Sequence, residues 1–166
     1  MSYDLSSWAW YFSYIVVLLG LAGYGCYRWS TLYLYFKHGK KRPQPDREFT
    51  ADEMPLVTVQ LPVFNEMHVV DRLLDAVAAL DYPQDKLEIQ ILDDSTDETT
   101  DISMAGAARL RGRGFDAECI HRTDRTGFKA GALENGMKIA KGDYILILDA
   151  DFVPNPALLQ DTIHHF

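Results

Sequence analysis

The chain has 166 residues, 48% of them apolar, which is enough for one ordinary domain and a short additional element. Its net charge of −8 is unevenly distributed: residues 1–42 carry five basic and one acidic side chain, whereas the remainder carries 11 basic and 23 acidic side chains. This acidic balance argues against general nucleic-acid binding and fits a domain that concentrates carboxylates around a metal. The two cysteines fall in a predicted membrane helix and a predicted strand, so no disulfide is expected.

The first predicted element is a transmembrane helix within residues 1–36. Residues 5–27 contain no charged side chain, which is long enough to cross a bilayer, and aromatic residues crowd both ends of the run. The helix is expected to continue through the aromatic residues 33–36. A secretory signal peptide is the alternative, but the residues before the run offer neither the positive charge nor the length that it requires.

The charges that flank this helix predict its orientation in the membrane. Only Asp4 precedes the apolar run, whereas the basic residues Arg28, Lys37, Lys40, Lys41 and Arg42 lie at or beyond its end. By the positive-inside rule, the N-terminus lies outside the cell membrane and the segment from residue 37 onward is cytoplasmic. Residues 37–55 contain three prolines and several charges, and we interpret them as a basic juxtamembrane segment and linker.

From residue 56 onward, the hydrophobic periods of strands and helices alternate. The predicted strands are 56–61 (ended by Pro62), 87–92, 117–121 and 144–148. Two predicted helices cover residues 67–80 and 128–140. Another begins at a Ser95–Glu98 capping box and ends at Gly112 and Gly114, and a last helix runs from Asn155–Pro156 to Phe166. The alternation predicts a parallel sheet that is covered on both faces and that binds ligands at the carboxyl ends of its strands.

Acidic side chains follow two of these strands. Asp149 and Asp151 come after the last strand, and Asp93 and Asp94 end the second. Aspartate is common in turns for local reasons, but two acidic pairs at one edge of a sheet repel each other unless a cation compensates them. The pattern therefore favours a site for a hard divalent ion such as Mg²⁺ or Mn²⁺.

A lysine in the first turn of the 128–140 helix is the other candidate. Lys129 opposes the helix dipole, so it is either a neutral surface residue or a charge directed at a ligand. Together with backbone donors at the helix N-terminus, it suits a diphosphate. The segment is not a P-loop, and the spacing of the five histidines does not match a zinc site.

Four segments in this order and spacing resemble processive family 2 glycosyltransferases, the group of cellulose synthases and cellulose-synthase-like glucomannan synthases. They are QLPVFNE (60–66), LDYPQDKLEIQILDDSTDET (80–99), RTGFKAGALENGM (125–137) and ILILDADFVPNPALL (145–159). The resemblance implies a GT-A fold, of which residues 56–166 form the donor-binding half. It also implies a UDP- or GDP-sugar donor, a divalent metal and a growing glycan as acceptor.

The resemblance also implies roles for seven residues. Phe64 and Glu66 would flank the nucleotide base, and Asp94, the residue assigned to the catalytic centre, would contact the base or ribose, either alone or with Asp93. Lys129 would approach the diphosphate, and Asp149 and Asp151 would hold the ribose and the metal.

The sequence departs from the family at its end. The aspartate that acts as general base in the family lies well downstream of these motifs, so we expect it beyond residue 166 and expect this chain to be a fragment that is inactive alone. One alternative is therefore a membrane-tethered module that only binds a nucleotide sugar. A second alternative is a Mg²⁺-dependent phosphatase of the haloacid-dehalogenase type, with Asp149 as the nucleophile. It is less favoured because the Asp-x-Asp motif of those phosphatases normally lies on the first strand, whereas here it follows the last.

Overall fold

The computed structural model describes residues 5–39 and 48–166, which belong to two compact units, Met1–Gln44 and Pro45–Phe166. Asp4 and the basic residues 40–42, on which the predicted orientation depends, lie outside the described residues, as do residues 43–47 of the predicted linker.

The first unit is a single helix, α1 (Leu5–His38). Its side chains from Trp8 onward are exposed, and an 18-residue stretch within Trp8–His38 reaches a mean hydropathy of 1.5, so by length and composition the helix is a candidate membrane span. At 1.5 Å per residue, its 34 residues extend about 51 Å, more than the roughly 30 Å of a hydrocarbon core. The predicted extension of the helix through residues 33–36 is therefore confirmed.

The second unit is built on a four-stranded parallel sheet, as the alternation predicts. Its strands are β1 (Val57–Val63), β2 (Leu87–Asp93), β3 (Asp116–His121) and β4 (Tyr144–Ile147), in the order β3-β2-β1-β4. The chain thus moves outward from β1 through β2 to β3 and then returns to the opposite side of β1. The strand order reverses between β1 and β4, which is where open α/β sheets bind ligands.

The apolar core lies on one face of this sheet. Alternate residues of β1 and β2 are apolar and buried there, because successive side chains of a strand point to opposite faces. Helices α2 (Val70–Val77), α3 (Thr99–Gly112) and α5 (Leu158–Ile163) supply the opposing side chains. The α2 side chains buried in this core are Val70, Leu73, Leu74 and Val77, at the predicted helical spacing.

The other face is polar and carries α4 (Phe128–Met137). Thr58, Gln60, Glu88 and Gln90 are buried on this face, and the Gln60 amide donates to Gln90 Oε1 at 3.0 Å. Helix α4 approaches closely through Gly136, since a Cβ there would lie 2.6 Å from Gln60 Nε2. This contact fixes the height of α4 above the sheet.

Pro62 was predicted to end the first strand, but it lies within β1. The neighbouring carbonyls show why this is tolerated: Gln60 O accepts from Leu148 N on the β4 side, and Val63 O accepts from Asp94 N on the β2 side. Pro62 therefore faces the β4 side, just past the end of the shorter β4. Its missing N–H costs no hydrogen bond of the sheet.

The predicted capping box is also wrong. Helix α3 begins at Thr99 without a side-chain cap, and Ser95 instead accepts a hydrogen bond from Asn65 N at 2.9 Å. Ser95 thus joins the loops that follow β1 and β2. The last helix likewise begins later than predicted, at Leu158, because Asn155 Oδ1 accepts from Ala157 N in a preceding turn.

Candidate nucleotide-sugar site

A crevice opens at the carboxyl ends of β1 and β4, where the strand order reverses, and continues to the end of β2. It forms a cavity of about 310 Å³ between these strand ends and α4. Six of the seven predicted site residues line it: Phe64, Glu66, Asp94, Lys129, Asp149 and Asp151. The remaining lining residues are Pro62, Val63, Leu92, Arg125, Ala132 and Ala150.

The seventh residue, Asp93, is not brought into the crevice. It is the last residue of β2 and its side chain is fully buried on the opposite face, where Oδ2 lies 2.7 Å from both Thr100 Oγ1 and His121 Nδ1. Its Oδ1 accepts a hydrogen bond from Ser95 N at 3.2 Å. Both oxygens of this fully buried carboxylate are engaged by neighbouring protein groups, so its geometry is that of a structural anchor.

Asp149 and Asp151 stand where β4 has ended and the chain turns. The Asp149 side chain is 60% exposed, its carbonyl accepts from Phe152 N at 2.9 Å, and its carboxylate forms an ion pair with Lys129. Two accessible carboxylates at this spacing fit a hard divalent cation that leaves positions open for phosphate oxygens. Among the described residues, no group of three His, Cys, Asp or Glu side chains is arranged to hold a metal, so any further ligands would come from the donor or water.

The charges of these two aspartates affect the pKa of Glu66. The pKa of Glu66 is raised above its usual value, first by partial desolvation in the crevice and then by the charges of Asp151 and Asp149, while Lys129 lowers it. A carboxyl group that is perturbed by two others in a cleft indicates a local excess of negative charge. A bound cation would relieve that excess.

Lys129 reaches the crevice because of an unusual helix start. Gly127 and Phe128 both have positive φ, 76° and 49°, and the second is costly for a residue with a bulky side chain. The chain thereby enters α4 so that the second residue of the helix faces Asp149. The glycine is required at this turn, and the strain at Phe128 must be offset by its surroundings.

Asp94 follows β2, on the other side of β1 from Asp149, and is paired with an arginine that the sequence did not mark as a site residue. Arg122 donates to it twice, from Nε to Oδ1 at 2.8 Å and from Nη2 to Oδ2 at 2.6 Å. The Asp94 side chain is only 5% exposed and that of Arg122 only 16%. An ionised carboxylate that is held in this way offers only acceptor positions, which suits N–H or O–H groups of a ligand.

A second arginine, also missed, covers the ring that was predicted to flank the base. The Arg125 guanidinium lies 3.2 Å from the centroid of the Phe64 ring and 5.3 Å from that of Phe128. Among the described residues, its Nε has no hydrogen-bond partner although it is buried. Both arginines stand in the RTDRT segment directly after β3. Arg125 opens the RTGFKAGALENGM segment that carries the family resemblance, whereas the only sequence signal for Arg122 was a basic side chain at the carboxyl end of a strand.

Comparisons with known proteins find a matching family and similar chains. The profile of the family described as "Glycosyl transferase family 2" matches residues 58–166. The chain is 36% identical over 141 residues to probable glucomannan 4-beta-mannosyltransferase 10 of Arabidopsis thaliana, covering 82% of this chain and 24% of that protein. It is 35% identical over 173 residues to glucomannan 4-beta-mannosyltransferase 2 of the same plant, covering 90% of this chain and 32% of the relative. The chain thus spans between a quarter and a third of these relatives.

Solved structures share the fold. The mannosyltransferase PcManGT from Pyrobaculum calidifontis, in complex with GDP-Man and Mn²⁺, aligns with a TM-score of 0.67 and 29% identity over 90% of this chain and 42% of its own. S. aureus TarS aligns with a TM-score of 0.56 at 24% identity, over 65% of this chain and 19% of its own, which supports the fold alone.

Proposed function

This chain belongs to glycosyl transferase family 2, and we propose that it is the donor-binding part of a membrane-anchored, inverting glycosyltransferase. In this proposal the enzyme uses a nucleotide-diphosphate sugar and a divalent metal to build a β-linked polysaccharide. The family assignment over residues 58–166 argues against the phosphatase alternative.

One observation carries the proposal. Side chains from three strand ends and from the first turn of α4, far apart in the sequence, line a single crevice at the point where the strand order reverses. Asp94 follows β2, and Asp149, paired with Lys129, follows β4, on the two sides of β1, so a ligand that is polar at both ends fits. A nucleoside diphosphate presents base donors at one end and phosphate oxygens at the other.

The residues then divide the binding of the donor among them. Asp94 accepts hydrogen bonds from the base or ribose, and Phe64 and Glu66 border the base. Lys129 leaves Asp149 and donates to the diphosphate, where it stabilises the charge that develops on the departing nucleotide. A Mg²⁺ or Mn²⁺ ion held by Asp149 and Asp151 would supply further neutralisation of that charge.

The donor in this proposal is a nucleotide-diphosphate hexose, with GDP-mannose the first candidate and UDP-glucose the alternative. The preference is supported by the mannosyltransferase names of the curated relatives and by the GDP-Man complex of the similar structure. A screen of both labelled donors with the full-length protein in membranes would discriminate between them.

The chain by itself is proposed to bind the donor without transferring the sugar. An inverting transfer needs a carboxylate base for the acceptor hydroxyl, and each acidic side chain of the crevice already has a role in donor binding. That the chain covers only 24% to 32% of its curated relatives supports a base outside these residues. Sugar transfer by residues 1–166 alone would contradict this proposal.

Membrane anchoring is proposed from α1. The span Trp8–His38 has the length and hydropathy for it, and the basic residues from Lys37 to Arg42 favour a cytoplasmic donor-binding unit at the cell membrane. Accessibility of a cysteine introduced at position 2, compared on intact and permeabilised cells, would test the orientation. Labelling only after permeabilisation would contradict it.

The donor site is tested by Asp149→Asn and Asp151→Asn. Each removes one of the two charges that would hold the cation, so we expect both to abolish Mn²⁺-dependent binding of GDP and UDP in calorimetry while the unfolding midpoint stays unchanged. Asp85→Asn, an exposed change before β2 at the opposite edge of the sheet, is the matched control. Unchanged Mn²⁺-dependent affinity in both site variants would refute the site.

A further inference from the structure

We propose that Arg122 is a positioning residue that couples the two ends of the crevice. Through it, a change at Asp94 alters the position of Lys129. The inference rests on the proposed donor site and adds a residue to it that touches neither the base nor the phosphates. Arg122 follows β3, on the far side of β2 from β1 and β4.

The first half of the coupling is the pair with Asp94. Both guanidinium nitrogens that face the carboxylate are used, at 2.8 and 2.6 Å, in a geometry that fixes the plane of the carboxylate as well as its position. Hydrogen bonding to Asp94 is also the main reason that the pKa of Arg122 is raised. Lysine at this position would keep the charge but lose the fork.

The second half is the grip of Arg122 on the turn before α4. The same Nη2 that bonds Asp94 donates to the Phe128 carbonyl at 3.2 Å, and Nη1 lies 3.5 Å from the Thr126 carbonyl. These carbonyls belong to the turn with two successive positive φ values, at Gly127 and Phe128. A single guanidinium therefore holds both the carboxylate and the backbone that precedes Lys129.

The turn itself needs such support. A Cβ at Gly131 would overlap the Thr126 carbonyl oxygen and lie 3.1 Å from Arg122 Nη1, so the turn, the helix and the guanidinium are packed without spare room. A positive φ at a residue such as Phe128 persists only where surrounding contacts impose it. Arg122 provides one such contact, in addition to the hydrogen bond from Phe128 N to the Arg125 carbonyl at 2.9 Å, and Lys129 is the next residue.

This arrangement predicts an effect that a direct contact alone would not produce. Inorganic pyrophosphate carries no base or ribose, so it has nothing for Asp94 to bind. If Arg122 couples the two ends, however, Asp94→Asn loosens the guanidinium, the turn relaxes, and pyrophosphate loses part of its contact with Lys129. Such indirect couplings typically change affinity by roughly threefold to thirtyfold.

The test uses the whole chain in detergent micelles with Arg122→Lys, Asp94→Asn and the control Arg109→Lys. Arg109 also pairs with carboxylates, Asp71 at 3.0 Å and Asp75 at 3.6 Å, but on the exposed surface of α3. Two quantities are measured: the affinity for pyrophosphate in the presence of Mn²⁺, and amide hydrogen exchange of residues 124–131 without any ligand, with β1 as the internal reference.

We expect both site variants to weaken pyrophosphate binding by about tenfold and to accelerate exchange in 124–131 but not in β1, while the control changes neither. Exchange that is unchanged in 124–131, or accelerated equally in β1, would overturn the inference. So would site variants that weaken GDP or UDP binding but leave pyrophosphate affinity within twofold. If the unaltered chain binds neither nucleotide nor pyrophosphate, the proposed function fails, and the exchange data still decide whether Arg122 holds the turn.

Discussion

Replacing Lys129 by alanine should change the affinities for metal and for nucleotide in opposite directions. The Lys129 ammonium is paired with Asp149, one of the two carboxylates proposed to hold the cation. The lysine therefore competes with a free divalent ion for that carboxylate. Once a diphosphate is bound, the same ammonium is proposed to assist by donating to the phosphates.

The magnitudes follow from the exposure of the pair. The two side chains are 51% and 60% exposed, and ion pairs of this kind contribute about 0.2 to 1 kcal/mol. Lys129→Ala should therefore raise the affinity for Mn²⁺ alone by roughly 1.4-fold to 5-fold. The lost charge-assisted hydrogen bond to phosphate is worth about 1.5 to 3 kcal/mol, so the affinity for GDP with Mn²⁺ should fall by roughly 10-fold to 150-fold.

The assay measures free Mn²⁺ by electron paramagnetic resonance without nucleotide, and GDP binding by calorimetry at saturating Mn²⁺. Lys138→Ala removes the same charge from an exposed position just after α4 and serves as the control for net charge. If Lys129→Ala lowered the affinity for Mn²⁺ alone, or left GDP binding unchanged, the idea that Lys129 moves between Asp149 and phosphate would be wrong.

Two further predictions concern the stability of the donor-binding unit. Gly136→Ala forces a Cβ against Gln60 and should lower the free energy of unfolding by about 1 to 3 kcal/mol in urea titrations. In the control Gly112→Ala, at the end of α3, the new Cβ meets no atom within 4 Å, so this variant should be neutral or stabilising by up to about 1 kcal/mol. Equal stability of the two variants would contradict the close packing of α4. The pKa of Tyr82 is raised to about 12, first by burial and then by Asp143, so between pH 10 and 12 the unfolded chain releases a proton that the folded chain retains and the wild type loses stability. The difference in unfolding free energy between the wild type and Tyr82→Phe should shrink over this range, and a constant difference would show that Tyr82 does not titrate differently in the two states.

Much of the fold was predictable because its signals are local. The spacing of Leu73, Leu74 and Val77 marks a helix wherever it packs, and the uncharged run of residues 5–27 marks a long apolar helix. Pro62 and Ser95 were misread for the same reason. Local preference makes one a strand breaker and the other a helix cap, but the early end of β4 and the nearby loop after β1 gave them other roles.

The amino-acid sequence by itself determined which chemical groups stand at the ends of the strands, because a strand end and the acidic residues that follow it lie within a few neighbouring residues. Only the tertiary structure decided which of those groups meet. Side chains of adjacent residues on a strand point to opposite faces, so Asp93 and Asp94 lie on opposite faces of the sheet. Which of these faces forms the crevice depended on the positions of β4 and α4. The return of the chain to the free edge of β1 placed Asp149 in the same crevice as Glu66, and the end of β3 brought Arg122 to Asp94 across 28 residues. These are long-range pairings set by the packing of the whole sheet, which no local pattern contains.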